Sequence, residues 1–217
     1  MSAAECPSYT VKGIAAHILG DDLSLLSRQR DGAPSGLALL ARKGAGPDFR
    51  SMLNTFNDQW VAATDFLSTP LLIELLGLAG EWTAEYYRRV DPQSPGEAVG
   101  LFGTARGSTS PFWHAVAREY LERWIHHSQI RRALSLSSVD DRWLLVPGIE
   151  VVSAIMQMEP GVPPGPDDAW GVGPLVLGPV GQAADILTRR HTAEEVRALV
   201  PGPAETVDQL AAVVARS

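Results

Sequence analysis

Cysteine is almost missing from this chain: one residue, Cys6, in 217. A single thiol cannot close a disulfide within the chain, and no Cys-x-x-Cys pair exists for redox or structural-zinc chemistry. A reducing compartment, the cytoplasm, is the expectation. Cys6 sits in a short polar leader with no basic neighbour, so it is not expected to act as a nucleophile. Long apolar runs are missing too. None approaches the roughly 20 residues that a bilayer-spanning helix requires. The start, Met1-Ser2-Ala3-Ala4-Glu5-Cys6, lacks a basic stretch followed by an apolar one, so no signal peptide is expected. Positive charge is in deficit, with 18 Lys and Arg against 25 Asp and Glu, a net charge of −7. That balance argues against nucleic acid or an anionic membrane as partner. There is no Gly-x-Ser-x-Gly and no phosphate-cradling loop. Gly103-Thr104-Ala105-Arg106-Gly107-Ser108 is glycine-rich but follows no strand.

What the chain does have is helical periodicity. Hydrophobic residues make up 45% and charged residues 20%, which is enough apolar material for one large domain or a domain with a small appendage. Val11, Ile14, Ala15, Ile18, Leu25 and Leu26 recur at helical spacing, predicting a first helix from Ser8 or Thr10 to Arg30, stopped by Asp31-Gly32-Ala33-Pro34. Leu37–Arg42 offers a helical turn or two. A second long helix starts at Pro47-Asp48, with Leu53, Phe56, Trp60, Val61 and Thr64 on one side. Ser68-Thr69-Pro70 reads as a cap and first turn, opening a third that fades before Pro92. Asp91–Thr109 reads as a long loop, and Ser110-Pro111 opens a fourth helix to Leu134. Further pieces are a helix over Val146–Met158, a Pro/Gly linker at Gly161–Pro166, a strand at Pro174–Gly178, and helices at Gln182–Arg190 and Pro203–Arg216. Thr192-Ala193-Glu194-Glu195 has the capping-box pattern.

The fourth helix carries the most chemistry. Trp113, Ala117, Tyr120, Leu121 and Trp124, widened by Val116 and Ile125, form its apolar stripe. Arg118, Glu122, His126 and Gln129 form a polar stripe opposite. That stripe is either a solvated face or the wall of a cleft. Glu122 and His126 are four apart, one turn on one face, and together can bite one divalent ion. His17 on the first helix is a candidate third ligand, with a hydrogen-bonded packing histidine as the alternative. Two nitrogens and one carboxylate leave a coordination position open, the pattern of a catalytic metal site. Asp21, one turn after His17, is a fourth ligand, an acceptor that orients an imidazole, or a solvated acid. His127 points away from His126, His114 lies three turns earlier, and His191 falls in the tail. Arg118 and Arg106 are candidate anchors for an acidic substrate, with surface positions as the alternative.

Three segments together resemble the DinB-like superfamily, in particular its mycothiol-dependent maleylpyruvate isomerases and related thiol S-transferases. They are Thr10-Val11-Lys12-Gly13-Ile14-Ala15-Ala16-His17-Ile18, Asn57-Asp58-Gln59-Trp60-Val61, and the run Arg118–Arg131 with its Glu122-x-x-x-His126 core. The resemblance covers the chain through about residue 158. It implies a mainly α fold: an antiparallel, metal-binding four-helix bundle over 1–158, with a small α or α/β extension over 159–217. It implies a divalent ion, usually zinc, held by His17, Glu122 and His126. It implies a mycothiol-like thiol as cosubstrate, activated for S-transfer to, or isomerisation of, a small electrophile, in a monomer or homodimer. Two other classes stay open: a metal-dependent hydrolase or biosynthetic enzyme on the same site, and a non-enzymatic ligand-binding stress protein.

Overall fold

The structure is a computed structural model that describes residues 9–42, 49–97, 102, 108–137, 141–163 and 168–215. It is mainly helical, with nine α-helices and two small sheets among those residues. Contacts divide the chain into two units, Met1–Val90 and Asp91–Ser217.

The first unit opens with α1, Val11–Leu25. The Thr10 side chain accepts a hydrogen bond from the Gly13 N–H at its start. Such a cap contributes about 1 kcal/mol. The helix does not stop at Leu25 but widens into a π-turn over Leu26–Arg30, where Asp31 N–H reaches back five residues to the Leu26 carbonyl. Then come α2 (Gly36–Arg42), α3 (Phe49–Thr64) and α4 (Thr69–Arg89). The Ser68 hydroxyl caps α4 by accepting from Leu71 N–H, with Pro70 in the first turn, as the sequence predicts. The Pro47-Asp48 start expected for α3 lies outside the described residues.

Helix α1 packs on both α3 and α4. Two polar contacts fix those crossings. Trp60 of α3 lies over Gly20, where an added Cβ would come within 2.5 Å of the indole, and its Nε1–H donates to the Ala16 carbonyl at 2.7 Å. Thr83 of α4 donates to the buried Asp22 carboxylate at 2.9 Å. Around these contacts Ala16, Leu19, Leu72 and Ala79 are buried together.

The second unit begins with a feature that the loop reading of Asp91–Thr109 missed. Strand β1 (Pro95–Glu97) pairs antiparallel with β2 (Thr109–Pro111), so Ser110-Pro111 belong to a strand and α5 starts at Phe112, running to Ala133. Three-residue strands built from Pro, Gly, Glu, Ser and Thr carry no hydrophobic alternation, which is why the pattern did not show them. Helix α6 spans Arg142–Met156, four residues earlier than expected, with Pro147 inside it. Proline reads as a helix start, but here the first turn is already formed: Leu144 and Leu145 N–H both bond the Asp141 carbonyl.

The C-terminal part holds β3 (Pro160–Gly161), β4 (Trp170–Val172) and β5 (Leu175–Gly178) in one antiparallel sheet, then α7 (Val180–Leu187), α8 (Ala193–Leu199) and α9 (Ala204–Val214). The predicted strand is β5, and the Thr192–Glu195 capping box is formed in both directions. These elements share one core with α5 and α6: Trp124, Ile149, Trp170, Leu177, Ile186 and Leu210 belong to a single buried cluster. Residues 159–217 were expected as a separate extension, whereas the contact division falls at Val90/Asp91. Four long helices are present as expected, but α5 is counted in the second unit and closure into a four-helix bundle is not established. No helix among the described residues is long and apolar enough to cross a membrane.

Helix α5 is held against α6 at two points. The Trp124 ring covers Gly148, where an added Cβ would stand 2.3 Å from Cζ3. The Tyr120 hydroxyl donates to the Leu144 carbonyl. Gly148→Ala should therefore lose about 1–3 kcal/mol, read by denaturant melts, despite alanine's better helix propensity. A gain in stability would show that Trp124 yields. Burial pushes the Tyr120 phenol from its ordinary 10.0 up to about 12. The folded state thus holds that proton more tightly than the unfolded chain. The stability this supplies is intact below pH 10.0 and is lost as pH climbs through about 12. The slope of unfolding free energy against pH in that window should flatten in Tyr120→Phe.

Candidate metal-ligating pairs

The rotation of α5 is set by Leu121, Trp124 and Ile125, all buried. With those three inward, Arg118, Glu122, His126 and Gln129 share the other side, and none of the four is fully exposed. The stripe is half-buried along its length, neither freely solvated nor part of the hydrophobic core. Three of the residues expected in the apolar stripe, Trp113, Val116 and Tyr120, are also half-buried, while Glu119 is 4% exposed.

His126 Nε2 stands 3.5 Å from Glu122 Oε2, with the imidazole side chain 12% and the carboxylate side chain 33% exposed. On the ring's other edge Nδ1 is 2.8 Å from Gln129 Oε1. A carbonyl oxygen only accepts, so the proton of that bond is on Nδ1. In the neutral ring this leaves the Nε2 lone pair on the side of the Glu122 carboxylate, where two electron-rich atoms at close range call for a proton or a cation between them. Tetrahedral zinc with N and O ligands at about 2.1 Å puts those two atoms about 3.4 Å apart. The observed separation fits that bite, and the gap also fits an imidazolium–carboxylate pair.

The first unit carries a parallel arrangement. His17 Nε2 is 3.3 Å from Asp21 Oδ2, again one helical turn apart, again with exposures of 12% and 33%. The Tyr9 ring lies 6.2 Å from the His17 ring, centroid to centroid. His17 and Asp21 thus form one pair and Glu122 and His126 another. Within either unit, among the described residues, no three His, Cys, Asp or Glu side chains gather as a metal site.

Around Glu122 the structure adds a residue that sequence reasoning missed. Arg189 Nη2 is 3.9 Å from Glu122 Oε1. Arg189 follows α7 in a left-handed backbone conformation with φ of 57°, a strained choice for a residue with a Cβ. Its Nε is buried without a hydrogen-bond partner among the described residues. Only the fold of the C-terminal segment brings this arginine near α5, and no local spacing in the sequence could have shown it. Arg118 is placed otherwise than expected of a substrate anchor: its guanidinium is ion-paired with the buried Glu119 next to it. Arg106 and Cys6 lie outside the described residues.

The remaining histidines stand apart from the pairs. His114 stacks on Phe102 with ring centroids 4.0 Å apart, and burial pulls its pKa down. His127 is exposed, and His191, in the C-terminal part, is half-buried. No protein-family model matches the chain, and no curated protein or solved structure is significantly similar to it.

The Gln129 contact makes a direct prediction. Nitrogen-15 NMR of labelled histidine, at a pH where the rings are neutral, should show His126 with its proton on Nδ1. Gln129→Leu should shift that ring toward the Nε2–H form. An unchanged tautomer would mean that Gln129 does not set it.

Proposed function

We propose that this protein is a divalent-metal-dependent enzyme that activates a low-molecular-weight, mycothiol-like thiol for S-transfer to, or isomerisation of, a small electrophile. The observation that carries this reading is the Glu122–His126 pair at chelating distance, with Gln129 fixing the ring's proton on the far nitrogen. A metal-bound imidazole commonly donates its other N–H to an acceptor that fixes its orientation. The resemblance of three segments to DinB-like thiol enzymes supports the same reading, and with it a bundle of α1, α3, α4 and α5.

His17, Glu122 and His126 would hold the ion, zinc in the first instance, and Asp21 would either join them or orient His17. When bound, such an ion lowers the pKa of a thiol so that the thiolate is available near neutral pH. The chain's own part is positioning. Gln129 keeps Nδ1 protonated. Arg189 supplies a fixed positive charge beside Glu122, suited to an acidic group on the electrophile. Arg118 is engaged by Glu119 and is the weaker anchor of the two.

Metal analysis by mass spectrometry on untagged protein should find about one divalent ion per chain, lost in both His17→Ala and His126→Ala. Gln129→Leu should weaken binding about 10–100-fold. Turnover of electrophiles should require thiol and metal together. Turnover with metal but no thiol would instead place the protein among hydrolases or biosynthetic enzymes. No metal uptake would overturn the metal reading and leave a ligand-binding protein.

A further inference from the structure

On the first unit, α1 and α3 border an open surface cleft of about 460 Å³ that the proposed metal chemistry does not use. That is room for a small organic ligand. Its charge is arranged unevenly. At one end Lys12 Nζ donates to the Asp65 backbone carbonyl at 2.5 Å and stands 3.4 Å from its carboxylate, so this pair is locally neutral. At the other end Asp58 forms no ion pair with a described residue, and Lys12, the one basic side chain lining the cleft, is engaged by Asp65. Asp58 lies two helical turns before Asp65 on the same side of α3, roughly 10.5 Å along the axis. Between them Val61 and Ala62 give an apolar floor.

The Asp58 end has a second feature. The Tyr9 hydroxyl donates to Asp58 Oδ1 at 2.7 Å, and Tyr9 also lines the cleft. The hydrogen bond ties a phenol ring and a carboxylate into one unit. It uses one of the four or so acceptor positions of the carboxylate and leaves the rest open. An aromatic ring, an ionised carboxylate and an apolar floor together suit a cation on an apolar body: the ring attracts it through its quadrupole, the carboxylate through charge, and the floor covers the alkyl part.

We propose that this cleft binds a small organic ammonium ion, with the charged nitrogen at Tyr9 and Asp58 and the apolar body over Val61 and Ala62. This goes beyond the metal site and does not depend on it. Choline is a suitable probe, with its uncharged analogue 3,3-dimethylbutan-1-ol as control. Titration followed by amide NMR on the full chain should give saturable shifts around Tyr9, Asp58 and Val61 with choline, and binding of the neutral analogue should be weaker by roughly tenfold or more. Asp58→Asn should weaken choline by about tenfold while leaving the spectrum folded. Ala62→Arg, at an exposed position, should abolish binding by placing a positive charge on the floor. No saturable shift, equal binding of the neutral analogue, or choline binding that survives both substitutions would overturn the proposal.

Discussion

The contact between the Trp124 ring and Gly148 is the constraint on which the chemistry of the second unit rests. A helix has one rotational freedom about its axis, and a large ring seated where any side chain would collide removes it. With Trp124 fixed and Leu121 and Ile125 buried beside it, Glu122, His126 and Gln129 have only one direction in which to point. A four-residue repeat of polar groups becomes a fixed donor set because the apolar side of the same helix has no alternative seating. The first unit repeats the logic at Gly20. There the Trp60 ring sits over α1, and its N–H bond to Ala16 locks the turn next to His17.

Buried charge follows from the same packing. Asp22 and Glu119 are both almost fully enclosed, and each is answered by a polar partner, Thr83 and Arg118 respectively. An unanswered carboxylate at either place would be costly. These two acids are more deeply buried than Glu122 or Asp21. Burial alone therefore does not single out a reactive carboxylate in this fold. What separates Glu122 from Glu119 is the imidazole one turn away.

The long helices were legible because their apolar residues repeat at 3.6 over many turns, and because Thr10 and Ser68 mark the starts of two of them by a local hydrogen bond, as Thr192 does for the short α8. The Glu122–His126 and His17–Asp21 pairs were legible for the same reason, since a spacing of four is a distance once the helix is granted. Gln129 was placed on the right stripe, but its bond to Nδ1 depends on a side-chain rotamer. The short strands β1 to β4 were not legible. Pro95-Gly96-Glu97 and Trp170-Gly171-Val172 pair because their partners pass close by, and nothing within three residues records that. Pro147 misled for a related reason: proline marks the start of many helices, and only the turn already formed on Asp141 shows that this one begins sooner. Arg189 was out of reach, because its approach to Glu122 depends on how α7 ends.

The π-turn at Leu26–Arg30 carries a consequence for how this protein could change. One extra residue is accommodated there without breaking the helix, and it rotates everything beyond it by about 100° relative to an uninterrupted α-helix. The segment that bears His17 and Asp22 is thereby decoupled from the exit of the chain toward α2. Loss of a single residue within the turn could restore a regular helix, with the change in direction falling entirely downstream. In evolutionary terms the turn is a place where length can drift while the face of α1 that carries its histidine stays in phase.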